Sequence, residues 1–461
     1  MNQYRKWLVF AGVALGVVLW ALGFAQVTTK GLPLRWTPTE DFAKLQPGVD
    51  YAANQVIAIY KPKSRKEYDL IRKDPKAANS IAAISKIVST AKIRLLEAIA
   101  IPPRANDANG VLSQVCGQII LRFSTEGNPV DSTALSFPSN DFIYGVAPFG
   151  FGLPNQTDSE DTGNTWALEA VKAPEKSNQG KGTRVAVLDT GVTRIHGLNS
   201  TPGMNFVYPE SPTPSINDDF APVPEGHGTG VAGVIGGSSA NNLPIGVAPL
   251  SSIVPVKVCR ADGRCTDPSV VMGVCYAVSK PVQARVLNVS LGSFINSPIL
   301  EGAIRDANLE KALVVASAGN TREFPESEPR YNLPVFPAAF SNTVVNLVNL
   351  MSVSAIDSDM NYASFATGHK TVDMVAPGVD IRTYSRTENV YVNSTGGTSY
   401  AAPFVSGTAA LMFAKNPNLS PAAAKAILKK TADPKGCNQL QPVDSCGMGL
   451  LQVEKALNAT P

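Results

Sequence analysis

"STGGTSYAAPFVSGTAAL", residues 394–411, sets a serine between a glycine pair and an apolar run that contains a proline. The glycines allow the backbone to bend tightly, and the hydroxyl of Thr398 or Ser399 can cap a helix that starts there. Pro403 fits such a helix only in its first turn, where the missing N–H has no consequence. Ser399 is therefore predicted at a helix N-terminus, where N–H groups favour an anion. This piece alone leaves two interpretations open, a nucleophile and a helix cap.

Upstream of this stretch, short and wholly apolar runs alternate with helical ones. The apolar runs are "RVAVLD" (184–189), "IVPVKV" (253–258), "VLNVSLG" (286–292) and "ALVVASAGN" (312–320). Continuous apolar strands separated by helices predict an α/β domain, with a mostly parallel, twisted sheet between two helical layers. Binding and catalytic sites in such sheets form at the carboxyl ends of the strands.

Two of the segments carry polar groups that are candidates for chemistry. "RVAVLDTGV" delivers Asp189 to a strand end, where a carboxylate is costly to bury unless it is paired. "EGHGTGVAGVIGG" places His227 at the start of a glycine-rich helix. Taken singly, the aspartate could cap the next helix and the histidine could be structural. The chain has only three histidines, however, and the other two, His196 and His369, lie in polar contexts typical of loops.

Together, "VAVLDTGV", "GHGTGVAG" and "GTSYAAPFVSG" resemble the three catalytic boxes of the subtilisin-like serine proteases, in the same Asp, His, Ser order. The resemblance covers about residues 166–457 and implies that Ser399 is the nucleophile. His227 would take its proton and return it to the leaving amine, while Asp189 orients the imidazole. "VVASAGN" ends at Asn320, where the family has an asparagine that stabilises the oxyanion.

The same resemblance implies a substrate cleft. "LNVSLGS" resembles the strand that pairs with the substrate backbone, and "ASAG" resembles the opposite wall of the pocket for the residue before the scissile bond. The substrate-binding residues would be Ser290, Leu291, Gly292, Ala316, Ser317, Ala318 and Gly319. Small residues on both walls favour a sizeable apolar side chain at that position.

The sequence departs from the family pattern at positions outside the triad. Gly230 stands where members often have a second histidine, Tyr400 where they often have methionine, and Phe404 where they often have histidine. Calcium sites are common in the family, but no calcium-binding loop can be matched here, so no cofactor is predicted and a structural calcium ion stays open. The acidic pair Asp218 and Asp219 favours a solvated loop over a calcium or substrate contact.

The first 26 residues, "MNQYRKWLVFAGVALGVVLWALGFAQ", have a positive start, an apolar run over residues 7–25 and small residues at its end. This pattern favours a cleaved signal peptide over residues 1–25. The run is also long enough to span a bilayer, which leaves a membrane-tethered processing protease as an alternative. Either interpretation predicts export, to the periplasm or the extracellular space.

Residues 26–153 have the pattern of a small α+β unit that precedes the peptidase domain at residues 154–461. Strands are predicted in "NQVIAIYK", "IRLLEAIAIP", "GQIILRFS" and "DFIYGVAPFGF", and the stretch over residues 64–92 is predicted to be helical in character. Their order resembles the ferredoxin-like propeptide of many subtilases. The resemblance implies a folding chaperone and intramolecular inhibitor, with "FIYGVAPFG" in the cleft until self-cleavage between about Phe151 and Asn164.

The six cysteines favour a disulfide-bonded protein of an oxidising compartment. Turn-like stretches predict the bridges Cys259–Cys265 and Cys437–Cys446. Cys275 lies in an apolar segment and is predicted to be a buried free thiol, whereas Cys116 would leave with the propeptide. No CxxC motif or His/Cys cluster favours zinc.

The formal net charge of +3 is small and does not indicate binding to nucleic acid or to an anionic membrane. The expected partners are polypeptide substrates and the chain's own propeptide, and the expected state is a monomer. A catalytically silent, peptide-binding subtilase homologue is the alternative from another functional class.

Overall fold

The structure is a computed structural model that describes residues 51–82, 84–85, 88, 93–106, 113–124, 142–154, 157–158, 166–174, 179–207, 216–218, 226–238, 246–344, 347–386, 391–438 and 445–461. Within these residues the strands form a seven-stranded sheet, a six-stranded sheet and a three-stranded sheet. The predicted signal peptide lies outside the described residues. No helix among the described residues is both long and apolar enough to cross a membrane.

The strands, in chain order, are β1 (Tyr51–Tyr60), β2 (Arg94–Ala100), β3 (Ile119–Ser124), β4 (Phe142–Pro154), β5 (Thr157–Asp158), β6 (Arg184–Asp189), β7 (Met204–Asn205), β8 (Ser252–Lys257), β9 (Cys265–Thr266), β10 (Val286–Val289), β11 (Leu291–Gly292), β12 (Leu313–Ser317), β13 (Leu350–Ile356), β14 (Met374–Pro377), β15 (Ile381–Tyr384) and β16 (Tyr391–Gly396). The α-helices are Arg65–Lys73, Trp166–Ala170, Gly228–Gly236, Asp267–Ala277, Pro298–Leu309, Phe340–Thr343, Thr398–Lys415, Pro421–Thr431 and Val453–Ala459. Short 3₁₀ helices occupy Pro75–Ser80 and Thr321–Glu323.

The seven-stranded sheet has the order β14-β13-β12-β10-β6-β8-β7, and all of its pairings are parallel. Alternate residues of β6 enter different cores. Val185 and Val187 pack with the helix Thr398–Lys415, whereas Ala186 and Leu188 pack with the helix Asp267–Ala277. The three-layer α/β architecture predicted from the apolar runs is therefore confirmed.

The helix Thr398–Lys415 lies in the core, and its residues 398–413 are all buried. A helix that is apolar on every side requires packing on every side. It follows β16 through Gly397, whose φ of +138° is a conformation that favours glycine. The strand-to-helix turn thus places residue 399 in the first helical turn, at the carboxyl edge of the sheet.

The first part of the described chain forms a unit of four antiparallel strands in the order β4-β1-β3-β2, here called the N-terminal unit. The prediction that residues 64–92 are helical in character is confirmed up to Ser80, where the structure has two separate helices. The helix Arg65–Lys73 ends ahead of Pro75, which starts a separate 3₁₀ helix, Pro75–Ser80. A proline lacks the N–H that would continue the helix and restricts the residue before it.

Disulfide bonds pair all six cysteines, and two of the three bonds confirm the predictions, Cys259–Cys265 and Cys437–Cys446. The prediction of a free thiol at Cys275 is wrong, because Cys275 is bonded to Cys116, 159 residues earlier in the chain. Cys116 precedes β3 in the N-terminal unit, and Cys275 lies in the helix Asp267–Ala277. Packing of the unit on that helix brings the two Cα atoms to 5.4 Å, a normal distance for a disulfide.

Candidate active site

The buried end of β6 brings the first two predicted site residues together. Asp189 is the last residue of β6, and His227 immediately precedes the helix Gly228–Gly236. Both side chains are fully buried, and the His227 Nδ1 atom lies 2.7 Å from the Asp189 Oδ1 atom. The remaining histidines lie elsewhere: His196 is exposed, and the His369 Nδ1 atom bonds to Thr371.

Ser399 is the second residue of the helix Thr398–Lys415, and its Oγ atom makes no capping hydrogen bond. The hydroxyl is buried and has no hydrogen-bond partner among the residues that the structure describes. The next side chain, Tyr400, packs edge-on against His227 with ring centroids 5.6 Å apart. This contact places the imidazole against the first turn of the helix that carries Ser399.

Asn320 lies beside the same helical turn, three residues after the end of β12. Its Oδ1 atom accepts hydrogen bonds from the Thr398 backbone N–H (3.1 Å) and the Thr398 hydroxyl (2.9 Å). Its Nδ2 group is buried and has no partner within the described part of the chain. An unsatisfied buried donor costs about 1–3 kcal/mol. Such a donor suits a site at which negative charge forms during a reaction.

A chain of polar contacts joins the helix to β10 and β11. Pro403 is the sixth residue of the helix, so the prediction that it lies in the first turn is wrong. Its missing N–H leaves the Ser399 carbonyl without a helical donor, and the Ser290 hydroxyl donates to that carbonyl instead (2.8 Å). Asn288 donates to the Ser290 hydroxyl and accepts from Ser406. The Ser290 side chain therefore fixes the helix, and the sequence alone did not show this.

The residues predicted to line the cleft lie on β11 and at the end of β12. All of them are buried, and they are Ser290, Leu291, Gly292, Ala316, Ser317, Ala318 and Gly319. Val335 lies between the two walls. A Cβ on Gly292 would be 2.1 Å from its Cγ1 atom, and a Cβ on Gly319 would be 2.5 Å from its Cγ2 atom. The methyl groups of Val335 thus fill space between the walls, which no motif in the sequence indicated.

The edge of β11 is occupied by a segment of the same chain. Residues Leu153 and Pro154 of β4 pair antiparallel with Gly292 and Leu291. The two residues before them in β4 pair with β9. The next strand, β5, pairs with β16. In this pairing Thr157 is opposite Gly396, which is three residues before Ser399. The chain therefore pairs first with β11 and then with β16, the strand that leads to Ser399, with only two residues between the two pairings.

Asp218 belongs to the site, so its interpretation as part of a solvated loop is wrong; Asp219 lies outside the described residues. Asp218 is only 4% exposed. Its Oδ2 atom accepts from the Thr229 N–H (2.8 Å), at the start of a helix that has no side-chain cap of its own. Its Oδ1 atom lies 2.9 Å from the Thr190 hydroxyl, which is also 3.1 Å from the Asp189 Oδ1 atom.

The Thr190 hydroxyl has one proton and lies between two carboxyl groups. Burial raises the pKa of Asp218, and the nearby charge of Asp189 acts in the same direction. The Thr190 hydroxyl therefore links the Asp218 and Asp189 carboxyl groups, and its oxygen also accepts from the Gly228 N–H (3.1 Å). This chain of hydrogen bonds orients the carboxylate that holds His227.

Gly230 and Tyr400, two departures from the family pattern, are in contact. A Cβ on Gly230 would lie 3.1 Å from the Tyr400 ring, so the missing side chain gives room to the tyrosine. Within the described residues, no group of three or more His, Cys, Asp or Glu side chains could hold a metal ion.

Comparison with known proteins agrees with this fold and geometry. The sequence profile of the subtilase family matches residues 180–449, more than half of the chain. Subtilisin BL from Lederbergia lenta is 37% identical over 295 residues, which are 63% of this chain and 97% of the subtilisin. An alkaline protease from Shouchella clausii is 36% identical over the same share of this chain and 69% of its own length.

Among solved structures, fervidolysin from Fervidobacterium pennivorans, a keratinolytic enzyme related to subtilisin, has a similar fold. The two structures superpose with a TM-score of 0.65 and share 21% sequence identity. The match covers 95% of this chain and 64% of the fervidolysin chain. The site and the sequence relatives define a peptidase that uses a serine. The chain belongs to the subtilase family, and it is a serine-type endopeptidase.

The Asp218 contacts predict different effects for two substitutions. Asp218→Asn keeps an acceptor for the Thr229 N–H and supplies an N–H for Thr190, so kcat should stay within about threefold of wild type. Asp218→Leu removes both contacts. It should lower kcat about tenfold, or about 1.4 kcal/mol, and the free energy of unfolding by about 1–3 kcal/mol. Peptide hydrolysis and urea unfolding measure these values, and an equal loss in both variants would contradict the role given to the Asp218 contacts.

Proposed function

We propose that the protein is an exported serine endopeptidase that is made as a self-processing precursor. Its catalytic triad is Asp189, His227 and Ser399. The observation that carries the proposal is the buried 2.7 Å contact between Asp189 and His227, beside the helical turn that bears Ser399. A buried carboxylate, an imidazole and a serine hydroxyl in this order are the groups that acyl transfer to serine requires.

The catalytic steps follow from these positions. Asp189 accepts the His227 Nδ1–H and holds the ring so that its other nitrogen acts as the base. His227 removes the Ser399 proton as the hydroxyl oxygen attacks the substrate carbonyl, and it returns the proton to the leaving amine. The Asn320 Nδ2 group and the Ser399 backbone N–H then donate to the oxyanion. The helix N-terminus adds a favourable field for that charge.

Export is supported by the first 26 residues and by the disulfides. A positive start, an apolar run and small residues at its end form the pattern of a secretory signal. Three disulfide bonds are typical of a protein that folds in an oxidising compartment. The proposed location is therefore periplasmic or extracellular.

Self-processing is supported by the course of the chain through the cleft. An extended peptide that adds a strand to a sheet edge is a general mode of peptide binding. Here β4 adds to β11 on one side of Ser399, and β5 adds to β16 on the other. Of the three peptide bonds between Pro154 and Thr157, the middle one is equally far from both pairings. We assign the cut to Asn155–Gln156, and the segment before it is the intramolecular inhibitor.

Val335 supports a preference for a small side chain before the scissile bond, in place of the sizeable apolar one favoured by the sequence. Its methyl groups fill the space between Gly292 and Gly319, which belong to opposite walls of the cleft. A large aromatic side chain would have to displace a buried valine. Asn155, the residue before the assigned cut, is small enough for such a pocket.

The proposed catalytic roles predict which residue a serine-directed probe labels and how much activity two substitutions remove. A fluorophosphonate probe should label Ser399, and Ser399→Ala should give no labelling and no hydrolysis. Asn320→Ala should lower kcat by about 10²–10³, equivalent to about 2.7–4 kcal/mol, with little change in KM. Steady-state kinetics and mass spectrometry of the labelled peptide measure these effects. Labelling of another residue, or an unchanged kcat in folded Asn320→Ala, would contradict the assignment.

The assigned cut predicts the ends of the processed chains. Intact-mass and terminal-peptide analysis of the purified wild-type protein, after reduction with dithiothreitol, should find a chain that begins at Gln156 and a fragment that ends at Asn155. The Ser399→Ala variant should stay uncut under the same conditions. A new N-terminus before Leu153 or after Asp158 would show that the observed strand pairings are not those of the cleaved state.

The pocket predicts a change of specificity. Val335→Gly should raise kcat/KM for a peptide with phenylalanine before the scissile bond by about 10–100-fold relative to its alanine counterpart, since the new space accepts the ring. Val335→Ala should give an intermediate ratio. Wild-type enzyme that already prefers phenylalanine strongly over alanine would contradict the role of Val335.

A further inference from the structure

The N-terminal unit is packed against the peptidase part of the chain through an apolar face. Alternate residues of β1 point to opposite sides: Ala58 and Tyr60 enter the unit's own core, whereas Ile57 and Ile59 enter a core shared with the peptidase helices. Ile101 and Ile120 belong to the same shared core, and all these side chains are fully buried. Without its neighbour, the unit would expose this face to water.

A buried carboxylate fixes the loop before β3. Asp306, in the helix Pro298–Leu309, accepts hydrogen bonds from the backbone N–H groups of Gln114 (2.7 Å), Val115 (2.7 Å) and Cys116 (2.8 Å). Asp306 is fully buried. Three N–H donors on one carboxylate form a strong, specific contact between the two parts of the chain.

An ion pair at the end of the same helix adds a second polar contact. The Arg104 guanidinium lies 2.5 Å from the Glu310 carboxylate, and the two side chains are only 5% and 6% exposed. The Asn106 backbone N–H also donates to Glu310. Separating a buried pair leaves an uncompensated charge, so this contact opposes partial detachment of the unit.

The disulfide Cys116–Cys275 lies within this interface and joins residues on opposite sides of the assigned cut. The other two disulfides, Cys259–Cys265 and Cys437–Cys446, both lie wholly after the cut. All six cysteines are thus used, and one bond alone connects the two sides.

We propose that the N-terminal unit is a permanent, disulfide-linked subunit, so that cleavage produces a two-chain enzyme. This inference rests on the proposed self-cleavage. A covalent link fixes the inhibitor at an effective concentration on the order of millimolar, whatever the enzyme concentration. The cut strand β4 stays beside β11 and β9, and the processed enzyme remains latent on dilution. Activity appears when the link is reduced or the N-terminal unit is itself degraded.

The link can be tested without self-cleavage. In the Ser399→Ala variant, a recognition sequence for an unrelated, sequence-specific endopeptidase is inserted between Asn155 and Gln156. That peptidase then cuts the full chain. We expect one species on a denaturing gel without reductant, with the mass of the uncut chain plus one water. Dithiothreitol should separate it into two chains, as the reagent's two thiols close to a cyclic disulfide and both cysteine sulfurs become thiols.

Matched variants identify the bond responsible. In the same background, Cys116→Ser/Cys275→Ser should give two chains without reductant, whereas Cys259→Ser/Cys265→Ser should stay as one species. Separation of the cysteine-intact protein without reductant would overturn the proposal. Because another enzyme makes the cut, this result does not depend on whether the protein processes itself.

Latency is tested with wild-type protein after self-cleavage. Over a thousandfold dilution, activity per mole should change less than about twofold, and dithiothreitol should then raise it at least about tenfold as the inhibitor dissociates. The Cys116→Ser/Cys275→Ser variant, if it folds, should gain activity on dilution alone. Full activity of the unreduced wild-type protein at every dilution would overturn the proposed latency.

Discussion

The buried carboxylate of Asp189 is the constraint on which the site depends. Its position at the end of an apolar strand removes it from water, and an ionised carboxylate in such surroundings needs charge or hydrogen-bond partners. The Thr190 N–H (2.7 Å) and the His227 imidazole (2.7 Å) supply them. Thr190 is held in turn by Asp218 and, through its carbonyl, by the buried Lys257. The need to satisfy one buried charge thereby fixes the orientation of the imidazole.

The serine is fixed by a different set of contacts. The helix that bears Ser399 is buried in the core, and Pro403 removes one of its backbone donors. The Ser290 hydroxyl, between β10 and β11, donates to the carbonyl that lacks its helical donor, so a hydrogen bond ties the helix to this edge of the sheet. Two rigid elements, the end of β6 and the first turn of the helix, therefore determine the geometry of the relay. Rigid support of this kind limits the loss of orientation during catalysis.

The N-terminal unit contacts the rest of the chain through two separate surfaces. Its last strand pairs with β11, and residues of β1 and β3 pack on the peptidase helices. Because the disulfide lies in that packed interface rather than in the cleft, it holds the unit in place without occupying the catalytic groups. The proposed inhibition by the chain's own segment and its proposed covalent retention thus involve separate surfaces.

Contiguous motifs made the central features predictable from the sequence. The apolar runs predicted the parallel sheet, and the motifs of Asp189 and His227 predicted two side chains that the structure brings into contact, because each lies beside the strand or helix that positions it. Features that depend on distant packing were missed. The Cys116–Cys275 bond spans 159 residues, and Asp218 and Val335 acquire their roles only when loops from other parts of the chain close over the site. Residues 64–92 were predicted to be helical in character, but the break at Pro75 between two separate helices was not anticipated.

The bond between Asp189 and His227 can be observed directly by proton NMR of the folded enzyme labelled with ¹⁵N in histidine. The account predicts a single nitrogen-bound proton far downfield of the amide region, assigned to His227 Nδ1 and absent from Asp189→Ala. A folded enzyme in which the Nδ1 of His227 carries no proton, or in which that resonance is unchanged by Asp189→Ala, would contradict the central claim.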